Sequence, residues 1–289
     1  MKEVILMSTL GSNGRFGNQI FQYAFLNIYA KKYDLDIKTP SWIGHDLFGH
    51  HNPPIVQKFR EVRDDNYDFL KHLVSDSEKP LKNVDIWGYF LFHTKYYLPY
   101  RNNFYHLFKP LPKIYINLYG SLEKVISPKK TLVGLHLRRG DFGTGDYFIA
   151  PSKWYKDWLS ELWKTLDNPV LFIASDEIDK VLPDFKEYNP ITTKDLGIEL
   201  PGAEFYPDFF FLSYCDILAI SNSTFSFAAS LLNEKGKVFF RPCYKSQTLI
   251  PFNPWNSEPF LSGAGSDIRT KIFQKLGKIG RFSSRTLSY

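Results

Sequence analysis

"TLVGLHLRRGDFGTGD", residues 131–146, runs from an unbroken apolar stretch straight into two adjacent arginines, Arg138 and Arg139. The stretch Thr131–Leu137 reads as a strand buried on both faces, the mark of a parallel sheet. Two neighbouring guanidinium groups repel each other, and burying them without partners is costly. Two readings follow: a solvated surface loop with local ion pairs, or a strand end that presents two forks to a phosphate.

Outward from this stretch the chain keeps one rhythm. "PVLFIAS" (169–175), "DILAIS" (216–221) and "KVFFRP" (237–242) read as further buried strands. Between them, "PSKWYKDWLSELWKTL" (151–166) predicts a helix with Ser152 as N-cap and Trp154, Trp158, Leu159, Leu162 and Leu166 on one face. "DFFFLSYC" and "STFSFAASLLNE" read as shorter helices. In the first half, "VILMS" (4–8) leads through a turn with Gly11, Gly14 and Gly17 into "NQIFQYAFLNIYAKKY", which has a helical apolar period. Residues 40–83 read as short helices and loops. "VDIWGYFLF" (84–92) reads as a strand, "TKYYLPYRNNFYHLF" as a helix interrupted near Pro99, and the stretch 109–130 as a linker carrying one helix. Strands alternating with helices predict an α/β protein with mostly parallel sheets.

Ligands of such sheets gather beyond the carboxyl ends of the strands, and the polar clusters lie there. One strand ends in His136, Arg138, Arg139 and Asp141, the next in Asp176, and a third in Ser221, Asn222, Ser223 and Thr224. The hydroxyl-rich turn is either a plain N-cap or an anion site built from free helix amides. Beside an arginine pair it points to a diphosphate, with Asp176 placed for a ribose or a guanine edge.

Composition narrows the field. Hydrophobic residues are 44% and charged residues 23% of 289, so the chain is globular. The net charge is +6, but six bases against Asp267 concentrate +5 of it in residues 261–289. A near-neutral body with a basic tail argues against a nucleic-acid groove. The tail interleaves bases with Ile272, Phe273, Leu276, Ile279 and Phe282, which suits either peripheral contact with an anionic membrane or a helix packed on the body. Cys215 and Cys243 make no disulfide framework or metal cluster. With no apolar run of signal or spanning length, a cytoplasmic placement is expected.

At these residues a family becomes recognisable. "GRFGNQIFQYAF" (14–25), "HLRRGDF" (136–142), "FIASDE" (172–177) and "ISNSTFSFAASLL" (220–232) resemble the four ordered signatures of the α-1,2-fucosyltransferases, glycosyltransferase family 11. "WGYFLFHTKYY" (87–97) is similar to a further family segment, Gly-Tyr-Phe-Gln-Ser-x-Lys-Tyr. The arginine motif and the opening GRFGNQ are also similar to those of α-1,6- and protein O-fucosyltransferases.

The resemblance implies a B-type glycosyltransferase architecture of two facing Rossmann-like domains. These would be an acceptor-side domain (1–125) and a GDP-fucose-binding domain (126–262), followed by the tail (263–289). It implies inverting fucosyl transfer from GDP-β-L-fucose to a glycan hydroxyl, α-1,2 to galactose, with no metal and no further cofactor. Carried over by position, Arg138 would grip the β-phosphate and stabilise the leaving GDP, with Arg139 in support. His136 and Asp176 would address the guanosine. Asn222, Ser223, Thr224 and Phe225 would line phosphates and base, and Gly17 and Asn18 would reach the diphosphate and fucose. Asp146 stands where α-1,6-type relatives carry an acidic residue, which makes it either the general base or a loop-capping carboxylate. Asp141 is the second candidate base, or an orienting group for the arginines.

Leu91 and Phe92 replace the family's Gln-Ser, Phe227-Ala228 stands where an aromatic pair often follows, and the loop after Asp141 is short. These departures bear on acceptor contacts or on local packing and leave the donor motifs whole. Asp34-Leu35-Asp36, the one Asp-x-Asp, reads as a solvated turn. The competing functions are α-1,6- or protein O-fucosyl transfer, and an inactive nucleotide-sugar or glycan-binding protein on the same scaffold.

Overall fold

The computed structural model describes residues 2–126, 130–143 and 147–261. The strands are β1 (Val4–Leu6), β2 (Asp36–Lys38), β3 (Arg60–Arg63), β4 (Val84–Trp87), β5 (Thr131–His136), β6 (Pro169–Ala174), β7 (Ile217–Ala219), β8 (Val238–Cys243) and β9 (Thr248–Pro251). The helices are α1 (Phe16–Tyr33), α2 (Gly44–Phe48), α3 (Lys71–Val74), α4 (Arg101–Leu107), α5 (Pro112–Glu123), α6 (Ser152–Trp163), α7 (Ile178–Val181), α8 (Tyr206–Leu212) and α9 (Thr224–Leu231). Two sheets result, β2-β1-β4-β3 and β6-β5-β7-β8-β9, parallel throughout except for β9. The expected α/β class with mostly parallel sheets is the one observed.

The apolar runs explain the centre of each sheet. Five of the six β5 residues are buried, and β5 pairs with β6 along its whole length. Helix α1 is apolar on nearly every side because it is enclosed between the halves, and thirteen of its eighteen residues are buried. Phe21 of α1 meets Phe227 of α9, so one apolar cluster runs through both halves. A smaller cluster lies under α6 on the far side of the second sheet.

Four readings need correction. The strand predicted over 84–92 stops at Trp87. Beyond it, Asp64 takes the Tyr89 N–H (3.0 Å) and Phe90 turns into the left-handed region at φ 52°, which no strand continues. Strands β2, β3 and β9 were not predicted: they are edge strands of three or four residues, and "REVR" of β3 carries one apolar residue. Ser152 is the first residue of α6, not its cap, because its hydroxyl accepts from Arg139. On α6, Tyr155 and Leu159 are the deeply buried pair, with Trp154, Trp158 and Leu162 packed half-buried beside them. Asp34 ends α1 at an exposed turn, Asp36 opens β2, and both pair with Lys2.

Candidate active site

The two arginines that share a strand end do different work. The Arg138 side chain, 13% exposed, stands at the rim between two carboxylates. It donates Nη1 to Asp176 Oδ2 (2.9 Å) and Nη2 to Asp141. The Arg139 guanidinium turns inward instead, to the carbonyls of Arg138 (3.0 Å) and Ala150 (3.1 Å) and to Ser152 Oγ (3.2 Å). Pointing the forks apart removes the repulsion. Gly140 follows at φ +39°, and a Cβ there would collide with the Asp176 carboxylate.

Asp176 completes this arrangement: Oδ2 holds Arg138 while Oδ1 accepts the Arg139 backbone N–H at 2.8 Å. Its carboxylate faces the arginine pair because β6 ends level with β5. His136 is 4% exposed, with Nδ1 2.7 Å from Ser221 Oγ and its ring 5.3 Å from that of Phe225. Burial first, then the charges of Arg138 and Arg139, push its pKa down to about 3, so it is a neutral imidazole at neutral pH.

Helix α9 supplies the next wall. Ser223 caps it, its Oγ accepting the Phe225 N–H at 3.3 Å. Asn222 binds the Leu261 backbone at both ends of its amide, 2.6 Å to the carbonyl and 2.8 Å from the N–H. These two bonds tie the turn before α9 to Leu261. The Phe225 ring joins a cage with Phe16, Phe205 and Phe209.

The first half closes the site. No side chain among the described residues caps the start of α1. That start lies against the start of α9, where a Cβ on Gly17 would overlap Thr224 and the Phe225 nitrogen. Two helix N-termini therefore converge, and their unpaired amides and dipoles favour an anion. Asn18 Oδ1 is buried with no hydrogen-bond partner among the described residues. Arg15, 72% exposed, reaches Asp141 Oδ2 at 3.2 Å, so Asp141 bridges the halves between Arg15 and Arg138. Burial works to raise the Asp141 pKa, but the Arg138 hydrogen bond and the charges of both arginines hold it below the usual carboxylate range.

Three charged residues lay outside the sequence reading. Arg15 could have been found, because it sits inside the quoted glycine turn. Asp64 and Asp208 carry no local motif. Burial raises each to about 6, against the pull of the Tyr89 and Phe90 amides for Asp64 and of the Thr193 hydroxyl (2.7 Å) for Asp208. Asp208 opens α8, whose Phe209 touches Phe225. Asp146 and the basic tail lie outside the described residues. Among the described residues, no group of three or more His, Cys, Asp and Glu is arranged to hold a metal ion, and no helix is long and apolar enough to cross a membrane. Chemically, the rim offers a fixed guanidinium, a second exposed one, two helix N-termini and an aromatic cage, a set of groups that suits an anion.

No curated protein matches the chain. The NodZ α-1,6-fucosyltransferase in a structure soaked with GDP-fucose shares 13% identity at a TM-score of 0.59, over 88% of this chain and 99% of its own. Fucosyltransferase NodZ from Bradyrhizobium shares 14% at 0.59 over the same shares. A mutant of Arabidopsis thaliana FUT1 in complex with GDP shares 16% at 0.49, over 86% of this chain and 72% of its own. The likeness to NodZ places the chain in that two-sheet glycosyltransferase fold. The model of glycosyl transferase family 11 matches residues 1–253 of the 289, and the protein belongs to glycosyl transferase family 11.

Proposed function

We propose that this glycosyltransferase moves L-fucose from GDP-β-L-fucose to a glycan hydroxyl, α-1,2 to galactose, with inversion and without a metal. The observation that carries the reading is Arg138, clasped by Asp141 and Asp176 where the N-termini of α1 and α9 meet. The GDP-fucose soaked into NodZ supports the donor. The division near residue 125 then separates an acceptor half from a donor half.

In the reaction the acceptor oxygen attacks the anomeric carbon of fucose as the bond to the β-phosphate oxygen breaks. The hydroxyl proton passes to a carboxylate, for which Asp146 is the proposed base, and GDP leaves with the electron pair. Negative charge grows on the diphosphate in the transition state, so a guanidinium already fixed there binds that state better than the ground state. Arg138 is fixed by its two aspartates; Arg139 acts through the backbone that carries Arg138. Arg15, Asn18 and the amides at Gly17 and Thr224 complete the cradle. The Phe225 cage takes the base, beside a neutral His136.

The test is incubation with GDP-fucose and a panel of β-galactosides in EDTA, followed by linkage analysis. An α-1,2 product, lost in Arg138→Ala and sharply reduced in Asp146→Asn, is expected. An α-1,6 product would move the chain to the other branch of the superfamily. Tight GDP binding with no transfer to any acceptor would favour the binding-protein reading and refute this one.

A further inference from the structure

Among the described residues, the face of β3 and β4 away from the core is only half-covered. Along β4 and its continuation, Val84, Ile86, Gly88 and Phe90 are buried while Asp85, Trp87 and Tyr89 alternate with them half-open. Parallel sheets are normally covered on both faces, so such alternation marks a face left to something else. The register puts Glu61 beside Asp85 and Arg63 beside Trp87 on that same face. Arg63 lies 3.6 Å from the Trp87 ring centroid and also binds Glu61 (3.1 Å) and Asp65 (3.4 Å). The indole is thereby held in place, and the arginine charge is spent locally. Trp87 meets Tyr89 edge-on at 6.2 Å. A Cβ on Gly14 would stand 2.8 Å from Tyr89 Cε1, so the stripe ends against the glycine turn that carries Arg15 and Asn18.

We propose that this stripe is the track for the acceptor: a neutral oligosaccharide whose pyranose rings lie along Trp87 and Tyr89 and whose hydroxyls bond to Asp85 and Glu61. The proposal rests on the fucosyl-transfer reading above, which supplies a reaction at the end of the track. Ordered aromatic rings flanked by carboxylates suit sugars, which present apolar C–H faces and hydroxyl donors. With Arg63 matched by two acids and Asp85 unmatched by any described cation, the face disfavours an acidic glycan. Its prior ordering lowers the cost of binding.

Isothermal titration of the whole protein with β-galactoside-terminated di- to tetrasaccharides, their sialylated counterparts and, separately, GDP tests this. A neutral tetrasaccharide should bind more tightly than its terminal disaccharide and than the sialylated form. Trp87→Ala should weaken the tetrasaccharide by about tenfold, as for a central aromatic anchor, with GDP affinity within about twofold of wild type. Arg63→Gln, which frees the indole at a partly exposed site, should weaken it in the same direction and decides the matter if Trp87→Ala does not fold. Unchanged tetrasaccharide affinity in both variants, or no neutral glycan bound by wild type, overturns the track. Absence of GDP binding overturns the fucosyl-transfer reading and with it the acceptor role, whatever the glycan titrations give.

Discussion

Adjacent arginines with opposite orientations should give opposite phenotypes. In Arg138→Ala, Asp141 keeps Arg15 and Asp176 keeps the Arg139 N–H, so neither carboxylate is stranded. The lost pair with Asp141, which is 58% exposed, contributes only about 0–1 kcal/mol, and Asp176 keeps its backbone partner when the second pair goes. Turnover should fall by about 10²–10³, the cost of removing one donor aimed at developing charge, or roughly 2.7–4 kcal/mol. In Arg139→Ala three hydrogen bonds vanish together, and the carbonyls of Arg138 and Ala150 lose a charged donor. That should cost about 2–3 kcal/mol of stability, a fall in Tm of roughly 4–6 °C for a chain of this size. Turnover per folded molecule should drop far less than in Arg138→Ala. Differential scanning fluorimetry and single-turnover GDP release on both variants separate the two quantities. Equal loss of turnover at unchanged Tm in both would refute the division of labour.

Other perturbations follow from the same contacts. Gly17→Ala drives a methyl into the Thr224–Phe225 backbone, so it should cost about 1–3 kcal/mol in urea unfolding and weaken GDP in calorimetry, as the two helix N-termini part. Thr94 ties the halves: its Oγ1 donates to the Pro254 and Ser257 carbonyls and accepts the Ser257 N–H. Thr94→Val should therefore cost about 1–3 kcal/mol despite its matching shape, read from the urea midpoint. Asp64, with a folded pKa near 6 against 3.8 unfolded, holds its proton where the unfolded chain has released it. Wild-type stability is thus eroded through this group as pH rises from about 4 to 6. Asp64→Asn should gain on wild type across that window in Tm measured pH by pH, and a constant difference would refute the assignment.

Much of the architecture was legible because buried parallel strands and enclosed helices carry their signature locally. Thr131–Leu137, Pro169–Ser175 and the apolar period after Gly17 need no partner to be read. What stayed hidden was short, charged and at an edge: Arg60–Arg63 is a strand only because Val84–Trp87 offers it a ladder. At the site, the sequence located the polar groups at strand ends but not their partners.

The chain's own order of residues was enough to establish an α/β protein, a glycine turn before a long helix, and an arginine pair at the carboxyl end of a central strand. Only the tertiary structure decided that Arg138 faces the rim while Arg139 turns inward, that Asp176 serves the arginines, and that Arg15 crosses from the other half to Asp141. Periodicity and strand ends are local properties, set by which neighbours a residue has along the backbone. The direction of a guanidinium is set by acceptors far away in sequence, brought within 3 or so Å only when both sheets are in place.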